Sequence, residues 1–418
     1  MWLHGYGRWA IWGDQTMRKR QRYRLKWSKG RRRSKLVLAN SINSLLPMLF
    51  TPVISLLIIR RSSEVLWGAF VGVLIIVQLG AHIASWGNST YLLRAFSRAP
   101  THITHDWGTS LFTRLLLVVG LALIALFIYP PSQAGWIILW GVALFLHQSC
   151  AVLITYQRDF LFSALVEGAG LIFLLTAVLF MESRLTVDLL IQLFALSVLG
   201  KAISLLWRYR RITWGGNGRF QSQYFALAFP FFLLGFSGML NSRVDLYAVN
   251  FFLTAQDVAE YQVFTSFLLY LQALAGFILL PFVKNIYRLE IGSIYKLAFL
   301  MLALGLLVIP SALFVLNLLL RGLYQIELSP LFFLFGGLMT LPVFFNLPII
   351  YALYKKDKQM VVLMVNITAV LINLWLNFLL LPRWGLIGAV VSTAIVKWLS
   401  LVVYAMQSVG LRRKGAMI

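Results

Sequence analysis

The sequence predicts an all-α polytopic membrane protein of about twelve transmembrane helices, arranged as two pseudo-symmetric six-helix bundles. Three observations predict it: apolar runs of spanning length recur along the whole chain, basic residues gather on alternate connections, and the two halves repeat short motifs at nearly one offset. Hydrophobic residues are 60% of the 418 and charged ones only 12%, with a mean hydropathy of +0.82. A water-soluble domain of this length cannot hide that much apolar surface, whereas a bilayer needs it.

Spans are expected near 36–59, 65–85, 110–128, 136–156, 161–181, 188–206, 225–250, 260–283, 295–319, 331–353, 360–380 and 387–407. They divide the chain into a basic tail (1–35), a first bundle (36–206), a connecting segment (207–224), a second bundle (225–407) and a short tail (408–418). Proline marks many span interiors and ends (Pro47, Pro52, Pro230, Pro281, Pro310, Pro342, Pro348), which membrane helices tolerate where a cavity must open and close. The segment 86–109 reads as a loop between spans 2 and 3.

Charge sets the orientation. With the N-terminus in the cytoplasm, 27 of the 37 Lys and Arg residues fall in inner segments, while only Arg60, Arg61, Arg184, Arg321 and Arg383 fall in outer loops. This bias puts both termini inside. It also accounts for a net charge of +24 without a nucleic-acid partner. Arg18 to Lys35 carries eleven basic residues and reads as an anchor to anionic headgroups. The sole cysteine, Cys150, excludes an internal disulfide framework and a cysteine-rich metal site.

The repeat appears twice. Glu64-Val65-Leu66-Trp67 after span 1 is echoed by Asp257-Val258-Ala259-Glu260-Tyr261 after span 7, an offset of 193. Lys201-Ala202-Ile203-Ser204-Leu205 is echoed by Lys397-Trp398-Leu399-Ser400-Leu401, an offset of 196. Six spans per half make the repeats parallel, related by an axis along the membrane normal, with a cleft at their interface.

An ionised group at mid-bilayer costs about 2.5–3.5 kcal/mol on insertion scales, so each one is a functional candidate. Lys397 is the deepest cation, about 15 Å from either end of its span at the helical rise. Arg114 and Lys201 lie four or five residues from an inner span end, near enough to snorkel to headgroups. Arg243 and Asp245 are two residues apart on span 7, so they point about 200° from one another and form no intrahelical pair. The cationic excess of Lys397, Arg243, Lys201 and Arg114 over Asp245 and Glu167 favours an anionic substrate such as a phosphate or pyrophosphate headgroup. The two carboxylates are candidates for ion coupling. His102, His105 and Asp106 lack further ligands for a metal. His82 and His147 read as helix-packing histidines rather than proton relays. No Gly-x-x-x-x-Gly-Lys-[Ser/Thr] loop is present, so no nucleotide cofactor is expected.

Three segments carry a resemblance. They are Trp86-Gly87-Asn88-Ser89-Thr90-Tyr91-Leu92-Leu93-Arg94-Ala95-Phe96-Ser97-Arg98, then Asn241-Ser242-Arg243-Val244-Asp245 continuing to Asp257-Val258-Ala259-Glu260-Tyr261, and Asn377-Phe378-Leu379-Leu380-Leu381-Pro382-Arg383-Trp384-Gly385-Leu386-Ile387-Gly388-Ala389-Val390. In this order they resemble the O-antigen-type flippases and polysaccharide transporters of the multidrug/oligosaccharidyl-lipid/polysaccharide exporter superfamily. The resemblance implies two bundles around a cationic cavity and alternating access. It implies movement of undecaprenyl-diphosphate-linked oligosaccharide, such as an O-antigen repeat unit, across the bacterial inner membrane for lipopolysaccharide or another surface polysaccharide. The expected protein is not an enzyme, works as a monomer, and has a polysaccharide polymerase and chain-length regulator as candidate partners. One departure is Arg60-Arg61-Ser62-Ser63-Glu64, which stands where the family carries a glycine-rich loop. The competing readings are an ion-coupled multidrug exporter, which should favour acidic residues in its cavity, and a membrane polymerase or ligase, which usually carries a large outer loop.

Overall fold

A computed structural model describes Asn43 and residues 46–215, 218–279 and 282–415. The predicted basic tail 1–35 and the first part of span 1 lie outside the described residues. The chain forms α1 (46–61), α2 (Glu64–Ser85), α3 (Asn88–Arg98), α4 (Ile103–Ile128), α5 (Pro131–Gln157), α6 (Phe160–Phe180), α7 (Val187–Arg208) and a short α8 (Arg210–Thr213). The second half contributes α9 (Gln223–Phe252), α10 (Ala255–Leu279), a short α11 (Val283–Ile286), α12 (Ile291–Leu319), α13 (Pro330–Lys355), α14 (Gln359–Trp384) and α15 (Leu386–Gly415). No strand occurs among the described residues. Eleven helical stretches there are long and apolar enough to cross a membrane, and α1 is the described part of the first predicted span.

The helix ends follow local chemistry. Ser63 caps α2 by accepting from the Leu66 N–H, and Thr186 caps α7 by accepting from Leu189. Pro131 and Pro330 open α5 and α13, where the missing N–H would have no intrahelical partner. The expected loop 86–109 is instead mostly helical. Trp86 and Gly87 adopt left-handed φ values of 43° and 68°, which turn the chain sharply from α2 into the amphipathic α3. Leu92 and Phe96 are buried there, while Arg94 and Arg98 face outward. Gly87 is required because a Cβ would lie 2.5 Å from the backbone nitrogen of Phe232.

The two halves pack alike. In the first, α4 lies on α5, α5 on both α2 and α7, and α6 on α7. In the second, α12 lies on α13, α13 on both α10 and α15, and α14 on α15. Across the axis α2 packs against its own counterpart, α10. Apolar side chains such as Phe127, Phe180, Leu307 and Phe314 stand far out of the protein. That periphery is stable against lipid and would be an aggregation surface in water.

Contacts join the bundles at both ends of α2. Toward the end carrying Glu64, Trp67 Nε1 donates to Gln262 Oε1 at 2.9 Å. Gly68 lies so close to the Ala255 carbonyl that a Cβ would sit 1.6 Å from its oxygen. On the same side Tyr324 donates to the Pro52 carbonyl at 2.7 Å, and Arg60 donates to that of Gly322 at 3.0 Å. At the opposite end, Trp86 stacks on Phe232 with centroids 4.2 Å apart and donates to the Phe225 carbonyl at 3.0 Å.

Candidate transport site

In the first bundle, three helices bring together charges that sequence spacing could not relate. Lys201 on α7 donates to Glu167 Oε2 on α6 at 2.7 Å, and His147 on α5 lies 3.0 Å from Glu167 Oε1. The ring of Phe50 on α1 covers the Lys201 ammonium at 4.4 Å. Lys201 and Glu167 are each 8% exposed, so the lysine is paired inside the bundle and does not reach for headgroups. His147 gives up simple helix packing for a carboxylate contact.

Arg114 does not snorkel either. It is 1% exposed, and its guanidinium donates to the carbonyls of Ser110, Ala84 and Ser85 and to the hydroxyl of Ser149 at 3.0–3.5 Å. The Ala84 and Ser85 carbonyls end α2, where unpaired carbonyls attract a cation. Arg114 therefore ties α4 to α2 and α5.

In the second bundle the polar groups form two layers. Asp245 on α9 accepts from the Tyr261 hydroxyl at 2.7 Å and from Thr393 on α15 at 3.3 Å. Asn373 on α14 donates to Thr393 at 3.1 Å, Asn377 donates to Asn373 at 2.5 Å, and Ser392 donates to Asn377 at 2.6 Å. One helical turn away, Asn241 and Lys397 form the second layer. The Lys397 ammonium donates to the Asn241 carbonyl at 3.2 Å, and Asn241 Nδ2 donates to Asn366 Oδ1 at 3.3 Å. A pocket of about 100 Å³ opens beside them, lined also by Asn346, Ser400 and Tyr404.

Arg243 occupies a different face of α9. It is half-buried, lies near the hydroxyls of Tyr247 and Tyr270, and makes no hydrogen bond or ion pair with a described residue. Tyr247 donates to the Ile75 carbonyl on α2 at 3.2 Å, and Tyr270 bonds the Met48 carbonyl on α1. This face of α9 is the one turned toward the first bundle. Among the six predicted residues, Lys201 and Glu167 meet, Asp245 and Lys397 lie in neighbouring layers, and Arg114 and Arg243 stand apart.

The sequence reading passed over the neutral partners: Asn241, Asn346, Asn366, Asn373, Asn377, Tyr261 and Thr393. A signal was present, because Asn366, Asn373 and Asn377 recur at seven and four residues, which is one face of a helix.

No family model and no curated protein matches the sequence. Its likeness is to solved structures. A lipid II flippase, MurJ, in an inward closed conformation superposes with a TM-score of 0.67 at 13% identity, covering 88% of this chain and 87% of the other. At 13% identity this likeness shows a shared fold. An inward-facing multidrug resistance MATE family transporter of the multidrug/oligosaccharidyl-lipid/polysaccharide exporter superfamily matches with a TM-score of 0.59 at 12% identity, over 90% of this chain and 99% of its own. An outward-facing multidrug resistance MATE family transporter matches at 0.51 and 13% identity, over 90% of this chain and 95% of its own. Within this fold, both polar layers lie inside the second bundle, and Arg243 lies where that bundle meets the first.

Proposed function

We propose that the chain is a flippase that moves undecaprenyl-diphosphate-linked oligosaccharide from the inner to the outer leaflet of the bacterial inner membrane. The substrate is an O-antigen or other surface polysaccharide repeat unit. The carrying observation is the charge left over in the membrane. Glu167 is taken by Lys201 and His147, and Asp245 by Tyr261 and Thr393, whereas the Arg243 guanidinium has no described partner. A surplus cation suits a diphosphate, which an arginine binds through paired N–H donors. A cationic drug would need the reverse.

Arg243 and Lys397 serve as the substrate cations, with Lys201 and Arg114 behind them as supports of the first bundle. The glycan passes between the bundles while the lipid tail stays in the bilayer. Alternating access then breaks the Trp67–Gln262 end of α2 or the Trp86–Phe232 end, one at a time. Asp245, ringed by side-chain oxygens and amides, is the group through which a proton or sodium ion couples, and Glu167 is the second candidate. Both termini face the cytoplasm, the chain acts as a monomer, and a polysaccharide polymerase with its chain-length regulator takes over the product.

The fold of the MATE transporters supports one other reading, an ion-coupled multidrug exporter. A host lacking its own flippase, supplied with this chain and a matching sugar-assembly pathway, separates the two. Restored surface polysaccharide, reduced at least about tenfold by Arg243→Ala at equal membrane abundance, is the expected result. Drug resistance without polysaccharide would favour the multidrug reading.

A further inference from the structure

The two bundles are built alike, and their interiors differ at one telling place. His147 is the seventeenth residue of α5, and Asn346 is the seventeenth of α13. Glu167 is the eighth residue of α6, and Asn366 is the eighth of α14. Lys201 and Lys397 each open a copy of the repeated Lys-x-x-Ser-Leu motif, on α7 and α15. The triad His147–Glu167–Lys201 thus has the counterpart Asn346–Asn366–Lys397.

In the first bundle the ammonium is matched by a carboxylate 2.7 Å away. In the second, an amide stands in the carboxylate's place, and Lys397 has no ion pair among the described residues. Asp245, one turn along α9, is held by Tyr261 and Thr393. Asn346 is 6% exposed, and its Oδ1 has no hydrogen-bond partner among the described groups. Where the first bundle places the Glu167 carboxylate, the second has the pocket of about 100 Å³. An ammonium at this depth without a contacting counter-charge and a buried amide oxygen without a donor are both unfavourable, and one ligand relieves both.

We infer that this pocket is an oxyanion site for a sugar phosphate. The phosphate takes the position that Glu167 fills in the first bundle, against Lys397 and the Asn366 amide. A sugar hydroxyl donates to Asn346 Oδ1 once that buried amide turns toward the pocket. The inference rests on the flippase reading for its choice of ligand and assigns to that substrate a seat inside the second bundle, apart from Arg243.

The test uses the full chain in lipid nanodiscs, titrated calorimetrically with glucose 1-phosphate, glucose and inorganic phosphate as probes. Glucose 1-phosphate should bind more tightly than inorganic phosphate, and glucose alone should not bind measurably. Lys397→Met should weaken glucose 1-phosphate at least tenfold. Asn366→Glu is the decisive variant, because it recreates the ion pair of the first bundle and so favours the folded chain. Its melting temperature should rise and its sugar-phosphate binding should vanish. Wild-type affinity in Asn366→Glu, or no preference of the native chain for the sugar phosphate, would overturn the inference. Polysaccharide restored by a chain that binds no sugar phosphate would sink the pocket and leave the flippase reading. Sugar phosphate bound by a chain that restores no polysaccharide would do the opposite.

Discussion

At the scale of single residues, the intramembrane charges divide by whether the protein itself satisfies them. Lys201 and Glu167 satisfy one another, so removing one partner strands the other in a buried site. Lys201→Met should destabilise the protein by about 3–5 kcal/mol, and the double variant with Glu167→Gln should recover most of that loss. Melting in detergent, followed by intrinsic fluorescence, reads both. Near-equal melting of single and double variants would mean that the pair is not what holds these helices. Asp245 makes the contrasting case. Asp245→Asn keeps a carbonyl oxygen for Tyr261 and Thr393 while removing the charge, so the fold should survive. Transport should then lose its dependence on an imposed proton or sodium gradient, as measured in proteoliposomes. Undiminished gradient dependence would move the coupling role to Glu167.

At the scale of elements, the α2–α3 corner governs the end of the molecule that holds Trp86. Gly87 combines a left-handed φ with a backbone approach to Phe232, so a methyl group there is strained twice over. Gly87→Ala should loosen the contact between this corner and α9. In a Cys150→Ser background, a cysteine replacing Phe232 should react several-fold faster with a water-soluble maleimide when Gly87→Ala is added. An unchanged rate would show that the corner does not control access. The corner also explains why hydropathy misread this segment. α3 is amphipathic, with only Leu92, Phe96 and Asn88 buried, and a polar outer face resembles a loop when composition alone is weighed.

At the scale of the whole molecule, two pseudo-symmetric bundles meet along α2, α9 and α10 with contacts at both ends. Under the alternating access proposed above, those ends part alternately. Gly72 and Asn250 face one another between them: a Cβ on Gly72 would lie 3.5 Å from Asn250 Cγ. Cysteines at both positions, with Cys150→Ser, should form a disulfide under mild oxidation. Oxidised protein should stop transporting and recover on reduction. Full transport by the cross-linked form would rule out movement between α2 and α9 at this level. The same symmetry bears on the sites, since Lys201 and Lys397 occupy matching helices with opposite outcomes, one neutralised and the other facing a pocket.

The membrane class, the succession of apolar helices and the repeat are legible along the chain, because hydropathy and span length depend on local composition and on nothing distant from it. The sequence also marks the buried charges, since a charged residue inside an apolar run is conspicuous wherever the helix later packs. Which of these charges are partners depends on how the helices pack. Glu167 and Lys201 are 34 residues apart in sequence and touch because α6 and α7 pack side by side, while Arg243 and Asp245 are two residues apart and face different neighbours. Packing also brings forward the asparagines, whose neutral side chains leave little trace in charge patterns. Their weight comes from position alone: Asn366 stands where symmetry calls for a carboxylate, and an empty place opposite a lysine exists only once four helices have packed around it.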